Sequence, residues 1–293
     1  MTRFILDSGN PVEYRTAFDL FTNNDQKLWG STTNPTLIAK KLSEQGKKLN
    51  TEDAFALQKN IVLQILKIVP GAVSAEVYAD AMTTSENMVE QGREISKWNE
   101  RVVIKLPTTI EGFKARTELR KENIVTNNTL VFSQQQIYAI CLHEHLVQKE
   151  FNSKGKWPSF ISPFLGRLDD MGENGITLVK NGMELKKYFK EELWMLAASI
   201  RTPSHLTACI ELESELITAP LTVYKEWLEG AGPSKKETNL TYPDLWQVPP
   251  DVKAIDSLEN FYEALENNLL DISHDLTEKG IAKFTEDWKA ILA

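Results

Sequence analysis

Short apolar runs alternate with longer amphipathic stretches along most of the chain. Runs at residues 3–7, 28–32, 72–78, 102–106, 124–130, 159–164, 196–200 and 216–218 predict eight strands. Several, such as Phe4-Ile5-Leu6 and Val102-Val103-Ile104, are apolar at consecutive positions, as parallel strands covered on both faces are. Stretches such as 55–68 and 185–193 carry the three-to-four spacing of helices. Strand and helix taking turns imply βα units and a parallel sheet. Eight units fit an α/β fold of the (β/α)8 TIM barrel type, which typically needs roughly 250 residues. An open doubly wound sheet usually has fewer strands and often a Gly-rich first turn. Neither G-x-G-x-x-G nor G-x-x-x-x-G-K occurs here. Residues 230–252, rich in Gly, Pro and polar groups, read as an irregular connection. Two amphipathic helices follow, at 256–270 and 277–292. They are too small for a second domain and are expected on the barrel's outer wall or rim, so residues 1–293 read as one domain.

Charge narrows the partners. With 33 Lys and Arg against 41 Asp and Glu, the net charge of −8 disfavours nucleic acid and anionic membranes. Phosphate binding would need a local basic site. Two cysteines, Cys141 and Cys209, are too few for a disulfide framework or a cysteine zinc site, and the expected compartment is a reducing cytoplasm. No membrane-spanning stretch is expected, and the first residues, with Asp7 among them, do not read as a signal peptide.

The informative residues are polar groups at the carboxyl ends of apolar strands, the active face of a barrel. Asp7, Asn34, Glu76, Lys105, Asn127, Thr129, Ser162, Ser199 and Arg201 all stand at such places, and Phe164 ends the sixth strand. A lysine inside Val102-Val103-Ile104-Lys105-Leu106 is costly to bury unless paired or neutral. A neutral amine attacks a carbonyl to form a Schiff base, and Glu76 and Asp7 could move the protons. The alternatives are that Lys105 reaches solvent at a strand end and that Glu76 points outward from an edge.

Other polar residues read as structural. His143 and His145, two apart, would face different ways on a helix, as a solvated helix end more than a metal pair. His205 could cap or brace its helix. The cysteines read as small buried groups, and residues 211–215 as a solvated turn. Trp29 is expected to pack under the mouth of the barrel. No metal site is expected.

Six motifs in order carry a resemblance. They are Trp29-Gly30-Ser31-Thr32-Thr33-Asn34-Pro35, Val73-Ser74-Ala75-Glu76-Val77 and Ile104-Lys105-Leu106-Pro107-Thr108-Thr109. Asn127-Asn128-Thr129-Leu130-Val131, Ile161-Ser162-Pro163-Phe164-Leu165-Gly166-Arg167 and Ala198-Ser199-Ile200-Arg201 follow. The chain thereby resembles the transaldolases, which belong with the fructose 6-phosphate aldolases, from about residue 3 to 227. The resemblance implies a Schiff-base transferase with no metal or organic cofactor. It would move dihydroxyacetone from a ketose phosphate to an aldose phosphate in the pentose phosphate pathway. It gives Lys105 the imine, Asp7 the substrate hydroxyl, and Glu76 with Thr129 a held water. Asn34, Asn127 and Ser162 become substrate contacts beside Phe164, and Arg167, Ser199 and Arg201 the phosphate site. Sugar phosphates are then the partners. Homodimers are common among such relatives, and the sequence leaves this chain's own oligomeric state open.

Departures from the commoner pattern are a shorter chain, Asn128 in place of an apolar residue and Ile200 in place of Phe. Both substitutions should alternate away from the site. One rival is a fructose 6-phosphate aldolase, whose members resemble this chain but carry Gln at position 76 and Tyr at position 164. The other is a silent sugar-phosphate-binding relative.

Overall fold

The computed structural model describes residues 2–34, 36–37, 49–230 and 240–292. Eight parallel strands close into a barrel in chain order: β1 (Arg3–Asp7), β2 (Leu28–Thr32), β3 (Val73–Glu76), β4 (Val102–Pro107), β5 (Thr126–Val131), β6 (Ser159–Pro163), β7 (Leu193–Ala197) and β8 (Leu216–Ala219). Closure is made by β1 on β8, with Phe4 opposite Ile217. The helices outside the barrel are α1 (Pro11–Asn23), α2 (Thr51–Leu66), α3 (Ser85–Ser96), α4 (Ile110–Lys121), α5 (Gln134–Phe151), α6 (Leu165–Asp169), α7 (Gly175–Lys186), α8 (Pro203–Glu211) and α9 (Leu221–Leu228). The chain ends with α10 (Pro250–Lys253), α11 (Leu258–Glu266) and α12 (Asp275–Ile291).

Local sequence explains the short strand-to-helix turns. Asn10, Thr84, Thr109, Ser133 and Thr202 each accept a bond from a backbone N–H of the following helix, and Thr84 and Ser133 complete reciprocal capping boxes. Apart from the longer link between β3 and α3, each turn starts its helix within a few residues, and the last side chains of the strand stay at the mouth. Inside the barrel, Ile5, Val103, Phe160, Trp194, Leu196 and Leu216 pack together. Leu6, Ile104, Leu106, Ile161 and Ile217 face the helices in a larger outer core. That alternation is the period of two expected of strands buried on both faces.

Seven of the eight expected strands begin and end within two residues of the observed ones. The seventh does not: β7 is residues 193–197, not 196–200. Ser199, at φ +56°, takes the left-handed conformation and ends the extended run. Residues 185–193 are correspondingly not one helix. Leu185 closes α7 and Leu193 opens β7, so apolar positions from two elements mimic a single helical stripe. Residues 231–239 of the irregular connection lie outside the described residues.

Trp29 packs against Trp157 and Trp194 at 5.1 and 5.8 Å, with the Arg3 guanidinium 4.3 Å from Trp194. Arg3, Trp29 and Trp194 all stand near the beginnings of their strands. This cluster plugs the amino end of the barrel, away from the mouth. His143 is also not at a solvated helix end. It is fully buried beside Arg116 and Thr117, and burial with two nearby arginines holds its pKa well below the ordinary value. His145 is half-exposed and meets Glu191 at 2.9 Å, and His205 braces Asp169 at 2.9 Å.

Candidate active site

The register of the strands sets the site. Glu76 on β3, Lys105 on β4 and Asn127 on β5 are successive Cα partners, so one level of the wall carries all three. Lys105 Nζ lies 2.9 Å from Glu76 Oε2, both side chains being almost fully buried, and 3.5 Å from the Thr33 carbonyl. Lys105 therefore does not reach solvent, and Glu76 points inward. Burial pushes the Glu76 carboxyl above the usual carboxylate range, with Lys105 pulling it the other way.

A cavity of about 160 Å³ opens at the carboxyl ends of the strands. Lys105 lines it together with Asp7, Asn34, Ser162, Phe164, Arg167 and Ser199. Asp7 accepts a 2.8 Å bond from Thr32 Oγ1, which also meets Thr218 Oγ1 at 2.6 Å. Its carboxyl is raised by burial, against the attraction of Lys105 and Arg167 and the bond from Thr32. Asn34 spends its carbonyl oxygen on the Leu37 N–H at 3.0 Å, so the donor it can offer a ligand is its NH2 group.

Asn127 and Ser162 act as a unit. Ser162 Oγ donates to Asn127 Oδ1 at 2.7 Å, and Asn127 Nδ2 donates to Ser74 Oγ at 3.2 Å. Thr129, two residues along β5, is fully buried, and its hydroxyl has no partner among the described residues. A buried hydroxyl without a partner is unusual and marks a place for a bound water or ligand. Asn128, between these two, is opposite Leu106 and Ile161 and looks into the outer core, as does the buried Ile200.

The cationic side of the cavity belongs to α6. Gly166 N donates to the Ser199 carbonyl at 3.0 Å, and a Cβ at Gly166 would stand 2.5 Å from that oxygen, so the close approach requires glycine. The packing brings Ser199 and Arg167 to one side of the cavity. Arg167 is half-buried and makes no hydrogen bond or ion pair with any described residue. Arg201 stands at the exposed rim beside Gly166, near enough for its charge to act on Arg167, and pairs with Asp170.

Sequence reasoning missed one wall. The last helix, α12, crosses the mouth, and its Phe284 lines the cavity with its ring 5.6 Å from Lys105 Nζ. The apolar pair Phe284 and Trp288, four apart, marked a buried helical face, but nothing in that spacing says which surface it covers. Among the described residues, no helix is long and apolar enough to cross a membrane, and no group of three or more His, Cys, Asp or Glu could hold a metal ion.

Comparison with known proteins identifies a family. The family model described as "Transaldolase/Fructose-6-phosphate aldolase" matches residues 4–293. A probable transaldolase of Lactiplantibacillus plantarum is 32% identical over 291 residues, 99% of this chain and 98% of the relative. A probable transaldolase of Clostridium botulinum is 36% identical over 221 residues, covering 75% and 86%. One of Clostridium tetani is 38% identical over 202 residues, covering 69% and 81%. With a family match over nearly its whole length, the chain belongs to the transaldolase/fructose-6-phosphate aldolase family.

Proposed function

We propose that the protein is a transaldolase. It would transfer dihydroxyacetone from sedoheptulose 7-phosphate or fructose 6-phosphate to glyceraldehyde 3-phosphate or erythrose 4-phosphate, within the pentose phosphate pathway. The observation that carries this reading is the buried Lys105 amine, 2.9 Å from Glu76, in the cavity that also holds Asp7 and Arg167. The probable transaldolases among its relatives support it.

Each residue then has a step. The Lys105 amine, its proton passed to Glu76, attacks the ketose C2 carbonyl, and the new N–C bond gives a carbinolamine. Glu76, whose raised carboxyl can hold or release a proton, passes one to the departing hydroxyl, and water leaves an iminium ion. Thr129, with its free hydroxyl, holds that water with Glu76. Asp7 then takes the proton of the C4 hydroxyl. The C3–C4 bond breaks, its electron pair moves into the iminium system, and the aldose phosphate leaves. An acceptor aldehyde reverses the sequence: C3 attacks it, Asp7 returns the proton to the new alkoxide, and water hydrolyses the imine. The iminium nitrogen is the electron sink, so the route as written draws on no metal or organic cofactor. Asn34, Asn127 and Ser162 hold the three-carbon unit, and Arg167, Ser199 and Arg201 take the phosphate through charge-assisted bonds.

Phe164 favours transfer over release of free dihydroxyacetone. Its ring offers no proton to the lysine-bound carbanion and keeps water from it. The two buried cysteines, neither in a disulfide, fit work in a reducing cytoplasm. Borohydride reduction in the presence of fructose 6-phosphate, followed by peptide mass mapping, tests the reading. The adduct is expected on Lys105 and lost in Lys105→Met, which keeps the side-chain length without the amine. An adduct on another lysine would overturn the assignment.

A further inference from the structure

The mechanism above makes no use of α12, yet this helix is tied down over the mouth at several points. Thr277 Oγ1 donates to the Leu130 carbonyl at 2.9 Å, Thr285 Oγ1 donates to the Ala79 carbonyl at 3.0 Å, and the Thr36 hydroxyl bonds to Asp287. These anchors hold α12 to the ends of β5, β3 and β2. Between them Gly280 packs so closely that a Cβ there would stand 2.6 Å from Leu130 Cδ2 and 3.0 Å from Arg167 Nη1. One turn further, the buried Phe284 enters the cavity.

Its ring centroid is 5.7 Å from the Arg167 guanidinium carbon, and the Phe164 ring is 5.2 Å from the same carbon. Two phenyl rings from distant parts of the chain thus lie against one guanidinium that makes no hydrogen bond or ion pair with any described residue. Left free, a long arginine side chain would lose rotamer entropy on binding an anion. Here packing fixes the group through cation–π contact, which uses none of its N–H donors. A cation pre-set in this way, with its donors unspent on any described residue, is built to receive an anion. Asp7 and Glu76 attract it across the cavity.

We infer that Phe284 is a positioning residue that holds Arg167 ready for the substrate phosphate, so that the last helix of the chain sets affinity for phosphorylated substrates. The identity of the substrate rests on the transaldolase reading, whereas the anion site rests on the cavity alone. Inorganic phosphate is therefore the first probe, its binding measured by calorimetry on the full chain.

Phe284→Leu keeps an apolar side chain and removes the ring, and is expected to weaken phosphate binding about three- to tenfold. Phe284→Tyr, which keeps the ring, should restore most of that affinity. The ratio of kcat/KM for fructose 6-phosphate to that for unphosphorylated fructose should fall in Phe284→Leu by the same factor. Gly280→Ala, which crowds Arg167 from the same helix, should weaken phosphate too and serves if the leucine variant does not fold. Equal phosphate affinity in wild type and Phe284→Leu, equal losses for both substrates, or a tyrosine variant as weak as the leucine variant would each overturn the inference. Absence of phosphate binding by wild type would do the same. If wild type gives no borohydride adduct but phosphate affinity follows the ring, the transaldolase reading fails and this inference stands.

Discussion

Replacing Asn128 by Leu tests the strand register on which the whole site depends. Asn128 is fully buried on β5, and neither polar atom of its amide has a partner among the described residues. Its neighbours Leu106 and Ile161 belong to the outer core, whereas Asn127 bonds to Ser162 inside the barrel. Leucine branches at the same carbon, so its two methyls take the places of the amide oxygen and nitrogen. Removing a buried amide without partners relieves about 1–3 kcal/mol. Greater apolar burial adds about 1–2 kcal/mol, and crowding by the larger methyls takes back about 1–3 kcal/mol. The expected balance is about 2 kcal/mol in favour of the variant, which raises Tm by about 3 °C in a chain of this size. Scanning calorimetry reads the shift, and transfer kinetics measured on the same sample should match wild type. A Tm at or below wild type would refute the unpaired amide. Lost activity would place Asn128 inside the barrel, and a one-residue change of face would turn Asn127 and Thr129 out of it.

The remaining expectations concern the site itself. Burial raises the Asp7 carboxyl pKa despite Lys105, Thr32 and Arg167, so the stability that this group contributes is full below its ordinary value of 3.8 and is lost as pH rises through the folded value. Asp7→Asn should therefore raise Tm at pH 7, with the advantage shrinking as pH falls toward 3.8, while transfer drops about 10²–10⁴-fold; a lower Tm at pH 7 would contradict this. Arg167→Ala should raise KM for phosphorylated donors by an amount worth roughly 2–4 kcal/mol. Arg201→Ala, at the exposed rim and already paired with Asp170, should raise KM for the same donors by a smaller amount; an unchanged KM in steady-state kinetics would take Arg201 out of the phosphate site. Phe164→Tyr should speed release of dihydroxyacetone from fructose 6-phosphate without acceptor, read by a coupled glycerol dehydrogenase assay, and slow transfer. Wild type releasing it as fast as it transfers would favour the aldolase reading.

The barrel was legible because several of its strands, β1 and β4 among them, are covered on both faces and leave short apolar runs, a signal that depends on few neighbours. Lys105 and Glu76 were legible for the opposite reason, as charges inside such runs. Whether they faced inward was not readable from either run alone. Pairing decides it: Glu76 is opposite Lys105, Lys105 is opposite Asn127, and the three share one face of the wall. At β7 the sequence misleads for a local reason. Leu193 to Ala197 is a strand of ordinary composition, and the polar residues behind it look like its end, although the left-handed Ser199 has already left the sheet.

Phe284 marks the limit of reasoning along the chain. Its place depends on where a segment goes after it leaves the barrel, which spacing does not encode. It belongs to a helix expected on the wall or rim, yet hydrogen bonds to the carbonyls of Leu130 and Ala79 set that helix over the mouth. Leu130 adds a local reason. At φ +58°, where the pairing of β5 with β6 shifts register, it breaks the regular ladder, and its carbonyl accepts the bond from Thr277. A bulge at the end of one barrel strand thus gives the C-terminal helix a foothold. Through it, a phenyl ring 179 residues after Lys105 in sequence comes within 5.6 Å of its amine.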